Sequence, residues 1–162
     1  MKLAYTLTLL SLVALLAACA AGPRSLVSGQ STEADVRTRM GAPTDTRTEP
    51  NGDKVWEYVT GPEGFYTWQV RIGADGRVRQ VAQLLTEDRF TTIVPGKTTQ
   101  AEVRSTLGRP SDETNFRAGQ TWSWRYLRNG ISPGYMVVKF NPDGTVAERI
   151  VIIDPSGDAP ED

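Results

Sequence analysis

The stretch "GQSTEADVRTRMGAP" occupies residues 29–43, and a close variant of it, "GKTTQAEVRSTLGRP", occupies residues 96–110. When the comparison is extended to 17 positions, ending at Asp45 and Asp112, eight positions are identical. Random pairing would give roughly one match over such a length, so the two stretches indicate an internal duplication.

The similarity resumes downstream of these stretches. A W-x-Y motif at Trp56 is matched at Trp124, and "ADGRV" in the first half of the chain corresponds to "PDGTV" in the second half. The sequence therefore predicts two tandem units, at residues 26–85 and 86–153.

Each unit is predicted to begin with a helix of about three turns. In the first unit, Thr32 and Asp35 fit a capping box, whose side chains satisfy free amides at a helix start. Val36 and the methionine four residues later share one helical face. Gly41 suits the end of the helix, and Pro43 prevents its continuation. The second unit has equivalent residue types at the same positions.

The rest of each unit alternates with period two, which is typical of strands. In "KVWEYV", Trp56 and Tyr58 lie on one side and Glu57 on the other, and Trp124 and Tyr126 hold the matching positions. The Asp-Gly pairs of "ADGR" and "NPDG" predict hairpin turns. We therefore expect an α+β fold of two tandem repeats. In each, a helix or helix-loop-helix packs on the aromatic face of a three- to four-stranded antiparallel sheet.

The amino terminus has the pattern of an export signal. An apolar run ends in "LAAC" at Cys19, which resembles a bacterial lipobox and predicts a signal peptide at 1–18. Lipidation of Cys19 would then hold the chain at a membrane through a tether at 19–25. The residue after Cys19 is not aspartate, which favours the outer membrane facing the periplasm. The acidic, proline-containing stretch 154–162 is predicted to be a disordered tail.

The composition argues against several function classes. The chain has no histidine and one cysteine, so the commonest general base and the usual metal ligands are missing. Without residues 1–18, which carry one lysine, the formal charge moves from −1 to −2, and this near balance argues against nucleic-acid binding. We therefore expect no enzyme, no cofactor and no bound metal.

The repeated pattern G-x-[ST]-T-x-x-[DE]-V-x-x-x-[LM]-G-x-P, followed by W-x-Y and DG-x-V, resembles the SmpA/OmlA (BamE-like) family of outer-membrane lipoproteins. The tandem layout is also similar to that of the β-lactamase-inhibitory protein. The family resemblance implies an accessory subunit of the β-barrel assembly machinery, although BamE-like proteins have one unit and this chain has two.

Two functions from different classes remain open. The first is a membrane-anchored binding or scaffolding lipoprotein whose partners are lipid, through Cys19, and other envelope proteins. The second is an inhibitor of a periplasmic or foreign hydrolase, acting through a concave sheet. An inhibitor would need an acidic or aromatic probe on a loop, and residues 61–66 and 129–135 are the candidates.

The predicted working surface is the sheet face opposite the aromatic side chains. Arginine and tyrosine are enriched at the energetic centres of protein interfaces. A plain solvated sheet with mixed polar residues is the alternative explanation of the same pattern. The predicted partner-binding residues are Glu57, Gln69, Arg71, Arg125, Tyr135 and Lys139.

Overall fold

The structure is a computed structural model that describes residues 22–117 and 119–153. The predicted signal peptide at 1–18, the lipidation site Cys19 and the predicted tail at 154–162 lie outside the described residues. Residues Pro23–Ser25, at the end of the predicted tether, form a turn of 3-10 helix, and Arg39 donates a 2.6 Å hydrogen bond to the Ser25 carbonyl oxygen.

Within the described residues, the regular structure consists of eight strands and three short helices, with a second 3-10 turn at Pro62–Gly64. The helices are α1 (Glu33–Met40), α2 (Glu87–Thr91) and α3 (Gln100–Leu107). The strands are β1 (Asp45–Thr48), β2 (Lys54–Thr60), β3 (Tyr66–Ile72), β4 (Val78–Gln83), β5 (Asp112–Phe116), β6 (Gly119–Arg128), β7 (Ser132–Phe140) and β8 (Val146–Ile153).

The predicted α+β class is wrong, because the protein is mostly β. The strands form two antiparallel sheets of four, in the orders β1-β2-β3-β4 and β5-β6-β7-β8. The helices reach only eight, five and eight residues, which is about two turns at most. The glycines that end α1 and α3 arrive after eight residues, whereas β6 alone continues for ten.

The predicted helix starts are confirmed. Thr32 caps α1 and shares a capping box with Asp35, and Thr99 and Glu102 do the same for α3. The backbone N–H and the hydroxyl of Thr32 both donate 2.8 Å hydrogen bonds to the Asp35 carboxylate. These bonds, the backbone one first, hold the pKa of Asp35 below its usual value. Thr99 lowers the pKa of Glu102 in the same way.

Gly108, which ends α3, meets two requirements for glycine at once. Its φ of 79° lies in the region that side chains disfavour. A Cβ at this position would also lie only 2.9 Å from the Thr67 methyl carbon.

The two predicted repeats contain the same backbone hydrogen bonds. In each repeat, these bonds join the segment that leads into the helix to the last hairpin. Two of the carbonyl oxygens belong to the predicted turns "ADGR" and "NPDG", and the other two belong to the first residues of the strands that follow, β4 and β8. In the first repeat, Gly29 N–H donates to Val78 O (2.8 Å) and Glu33 N–H donates to Gly76 O (2.9 Å). In the second repeat, Gly96 N–H donates to Val146 O (2.8 Å) and Gln100 N–H donates to Gly144 O (2.9 Å).

By contacts, the chain divides into two compact units that do not follow the repeats. The first holds the chain up to Trp56 together with Val70–Val81, and the second holds Glu57–Gln69 together with the chain from Ala82 onward. Strands β2, β3 and β4 therefore contribute residues to both units. The predicted boundary between the two sequence repeats, at 85/86, stays a prediction.

The predicted aromatic core is present. In the first compact unit, Trp56 is 3% exposed, and the Arg37 guanidinium lies 4.4 Å from its ring centroid. In the second, Trp124 is fully buried and donates a 3.1 Å hydrogen bond from Nε1 to the Gly108 carbonyl oxygen. The cluster around it comprises Leu85, Phe90, Ile93, Val103, Leu107, Trp122, Tyr126, Met136, Val138, Phe140 and Val146.

Candidate protein interface on the second sheet

The second sheet has one covered and one open face. Along β6, Trp122, Trp124 and Tyr126 are buried, whereas the alternate residues Arg125 and Leu127 are partly exposed. The strand register continues the open face across the sheet. Arg125 pairs with Tyr135, and Tyr135 pairs with Ile152. We call this side of the second sheet, centred on the Arg125–Tyr135 pair, the open face.

Arg125 is the centre of a small cluster on the open face. Its guanidinium lies 5.7 Å from the Phe65 ring centroid and 5.6 Å from the Tyr135 ring centroid. Its Nη2 atom lies 2.6 Å from a carboxylate oxygen of Glu63. An arginine held between two rings gains cation–π attraction and loses less conformational freedom when a partner arrives.

The loop that supplies Glu63 and Phe65 has a constrained backbone. Glu63 has a φ of 56°, which is uncommon for a residue other than glycine, and Gly61 and Gly64 on either side also have positive φ. A Cβ on Gly61 would lie 2.8 Å from the Tyr66 ring. Steric requirements at these glycines therefore fix the path on which the loop presents Phe65 to Arg125.

The structure brings two of the predicted site residues together and places a third on the same strand. Arg125 and Tyr135 are direct cross-strand neighbours. Lys139 lies farther along β7 on the same face and forms a 2.8 Å ion pair with Glu148, in which both side chains are about half exposed.

Arg71 belongs to the other compact unit. Its guanidinium lies 3.7 Å from Glu49 and 4.0 Å from Asp53, and its side chain is 28% exposed. Two acidic neighbours engage this charge within the first compact unit, and the partner-binding role of Arg71 stays a prediction.

Glu57 and Gln69 do not line an exposed surface, and their assignment to a partner-binding face is wrong. Glu57 is 1% exposed and Gln69 is 8% exposed. Arg104 Nη1 binds both carboxylate oxygens of Glu57, at 3.0 and 2.8 Å, and the Arg109 backbone N–H donates a further bond of 3.0 Å. The carboxylate is therefore a buried anchor for the end of α3.

The predicted alternation also fails in β3. Thr67 is 2% exposed although it is polar, whereas the aromatic residues Tyr66 and Trp68 on either side of it are only partly buried. Both faces of this strand are covered over part of its length, so period-two polarity does not identify its exposed side.

Sequence reasoning missed the residues that complete the open face. Glu63 and Phe65 appeared only within a candidate loop, and no sequence pattern linked that loop to Arg125. The apolar side chains of Ile150 and Ile152 were also missed, although the run "RIVII" was a visible signal.

Residues 22–117 and 119–153 contain no group of three or more histidine, cysteine, aspartate or glutamate side chains placed to hold a metal. Across these same ranges, every helix is too short or too polar to span a bilayer.

No protein-family model matches the sequence, and no curated protein matches it. Among solved structures, the chain is similar to a DUF4309 family protein (YjgB) from Bacillus subtilis, with 15% identity, a TM-score of 0.31, and coverage of 80% of this chain and 82% of that chain. A likeness at this TM-score supports neither a fold assignment nor a function.

Proposed function

We propose that this protein is a lipid-anchored binding and scaffolding module of the bacterial outer membrane, facing the periplasm. Its role is envelope maintenance, including assistance to the assembly of β-barrel outer-membrane proteins. In this proposal, Cys19 carries the lipid and the open face of the second sheet contacts a protein partner.

The anchor and the setting rest on the sequence. The lipobox-like "LAAC" provides the attachment point. The twice-repeated SmpA/OmlA-like pattern suggests the setting, since that resemblance implies work beside the β-barrel assembly machinery. Several acyl chains together would make the attachment stable, whereas a single chain would hold only marginally.

The observation that best supports a binding role is the cluster around Arg125. Arginine and aromatic side chains are over-represented among residues that dominate binding energy, and here Phe65 and Tyr135 hold the guanidinium in place. The nearby apolar residue Ile152 is 46% exposed, which adds area that a partner could remove from water.

The alternative role as a hydrolase inhibitor finds less support in the same geometry. An inhibitory loop at 61–66 would need a free acidic or aromatic probe. The one carboxylate of this loop, on Glu63, lies 2.6 Å from Arg125 of the same chain, and the same guanidinium lies 5.7 Å from the centroid of the Phe65 ring.

The test is affinity purification from detergent-solubilised membranes with two matched variants. Arg125→Glu reverses the charge at the centre of the open face. Arg79→Glu makes the same change in an exposed ion pair, since Arg79 lies 3.0 Å from Asp75 and is 51% exposed. Both variants should unfold within about 1 kcal/mol of the wild type, as surface substitutions usually do.

Only Arg125→Glu is expected to lose the co-purifying envelope protein. Retention of that protein by Arg125→Glu would exclude the open face as the interface. A separate variant, Cys19→Ser, tests the anchor through incorporation of a fatty-acid probe. Equal labelling of this variant and the wild type would exclude lipidation at Cys19.

A further inference from the structure

The end of β8 is apolar on both sides although it lies at the edge of its sheet. Val151 and Ile152 are each 46% exposed and Ile153 is 42% exposed. Val151 and Ile153 point to the face that carries the core, and Ile152 points to the open face, as their register partners in β7 show. A continuous apolar run is typical of a strand whose two faces are both covered.

The backbone of this segment has hydrogen-bonding capacity to offer. β8 is last in the strand order, and at its start Val146 is engaged by Gly96 and Thr98. Farther along, a Cβ on Gly134 of β7 would lie 2.8 Å from the Ile152 carbonyl oxygen, so Ile152 is directed towards β7. Because antiparallel strands alternate, the N–H and C=O groups of Val151 and its next-but-one neighbours point to the outer side.

A cavity of about 370 Å³ lies beside this edge. Phe90 of α2, Tyr126 of β6, and Val151 and Ile153 line its apolar part. The helix that supplies Phe90 to this cavity, α2, has only five residues.

Tyr126 gives the cavity an unused polar group. The residue is 1% exposed, and its hydroxyl has no hydrogen-bond partner in the part of the chain that the structure describes. Burial raises the pKa of Tyr126, and the nearby charge of Glu87 raises it further, so the phenol is neutral and available as a donor.

The charged residues around the cavity leave an excess of positive charge. Arg128 Nε lies 3.8 Å from Glu87, in a partly exposed pair. Arg149 Nη1 donates a 2.6 Å hydrogen bond to the Phe90 carbonyl oxygen, and no carboxylate of the described residues lies within ion-pair distance of it. A ligand that brings an apolar side chain and a carboxylate therefore complements this site.

Two occupants from the chain itself fit less well. Residues 154–162 could supply carboxylates, but apart from prolines their only apolar side chain is one alanine. A second copy that paired its β8 here would bring a further Arg149 towards the arginines already present, and its core-facing side chains at this edge include no acid.

We propose that β8 receives an extended segment of a partner protein as an additional strand, with an apolar side chain in the cavity and a carboxylate against Arg149. Backbone hydrogen bonds would provide affinity and the cavity would provide specificity, as in other cases of strand addition. This site uses none of the Arg125 cluster, so it stands or falls separately from the interface proposed above.

The test uses the full chain in detergent and a fluorescein-labelled peptide, Thr-Val-Thr-Phe-Thr-Asp-Thr, with fluorescence anisotropy as the readout. Val151→Pro removes an outward N–H without removing a bond to β7, and it should weaken binding by about tenfold or more. Ile152→Thr is the matched control, because its side chain lies on the other face, and it should bind as the wild type does. Arg149→Gln should weaken binding of this peptide but not of its Asp-to-Asn analogue.

A second measurement needs no variant protein. In an added strand, every second peptide N–H would point towards β8 and the others would point away. N-methylation of the first set should abolish binding to the wild type, and N-methylation of the second set should leave binding unchanged. The proposal is overturned if the wild type does not bind the peptide at about 1 mM, a concentration that detects even weak binding. Equal affinity of Val151→Pro and the wild type would also overturn it. Binding that appears only after removal of 154–162 would assign the edge to the chain's own tail. Self-association that Val151→Pro abolishes, without peptide binding, would assign it to a second copy.

Discussion

The buried pair of Glu57 and Arg104 allows a sharp test of what stabilises the second compact unit. Glu57 is 1% exposed and accepts bonds from the Arg104 guanidinium and the Arg109 backbone N–H. Removal of one partner from a fully buried ion pair costs about 3–5 kcal/mol. Because the Arg104 side chain is 27% exposed, solvent relieves part of that penalty. We therefore expect Glu57→Gln to lower the free energy of unfolding by about 2–3 kcal/mol.

The assay is urea unfolding followed by tryptophan fluorescence, with Glu63→Gln as the matched control. Glu63 is 56% exposed and lies 2.6 Å from Arg125, so its pair is as short as the buried one. Glu63→Gln should lower the free energy of unfolding by no more than about 1 kcal/mol. The double variant Glu57→Gln with Arg104→Gln should cost less than the sum of the single variants, because it leaves no unpaired charge. Equal costs for Glu57→Gln and Glu63→Gln would refute the reasoning from burial.

Two further predictions concern the core and the helix caps. Trp56→Ala and Trp124→Ala should each lower the free energy of unfolding by roughly 3–5 kcal/mol in urea titrations, as large aromatic deletions in cores do, and wild-type midpoints would contradict their burial. The bonds from Thr32 lower the pKa of Asp35, so this carboxylate stabilises the fold fully above the ordinary pKa of an unfolded aspartate, and the contribution disappears as the pH falls through the lowered value. When the pH is lowered from about 5 to about 3, the free energy of unfolding should therefore fall less for Asp35→Asn than for the wild type in urea titrations. An equal fall for both proteins would contradict the capping role.

Features that depend on neighbours in sequence could be predicted. The capping boxes at Thr32 and Thr99 involve residues three apart, and the Asp-Gly turns depend on four consecutive residues. The burial of Trp56 and Trp124 followed from their period-two placement beside other large apolar residues. In each case the chemistry that decides the structure lies within one short window.

Features that depend on distant residues could not be predicted. Glu57 looked exposed because it alternates with Trp56 and Tyr58, and its partner Arg104 is 47 residues away. The Arg125 cluster depends on a loop about 60 residues earlier in the chain. The predicted fold class was wrong for a related reason. The signals that begin and end a helix were clear, but the strands account for more of the described residues than the three helices together.

The division of β2, β3 and β4 between the compact units has a consequence for the history of this chain. In solenoid proteins each repeat contacts only its neighbours, so the stability is approximately a sum over repeats and the interfaces between them. Here the first copy contributes residues 57–69 to the compact unit of the second, where Glu57 anchors Arg104. Removal of one copy, or insertion of a third copy between them, would separate the Glu57 carboxylate from the Arg104 guanidinium. Loss of either predicted copy would therefore leave one member of the Glu57–Arg104 pair without the other.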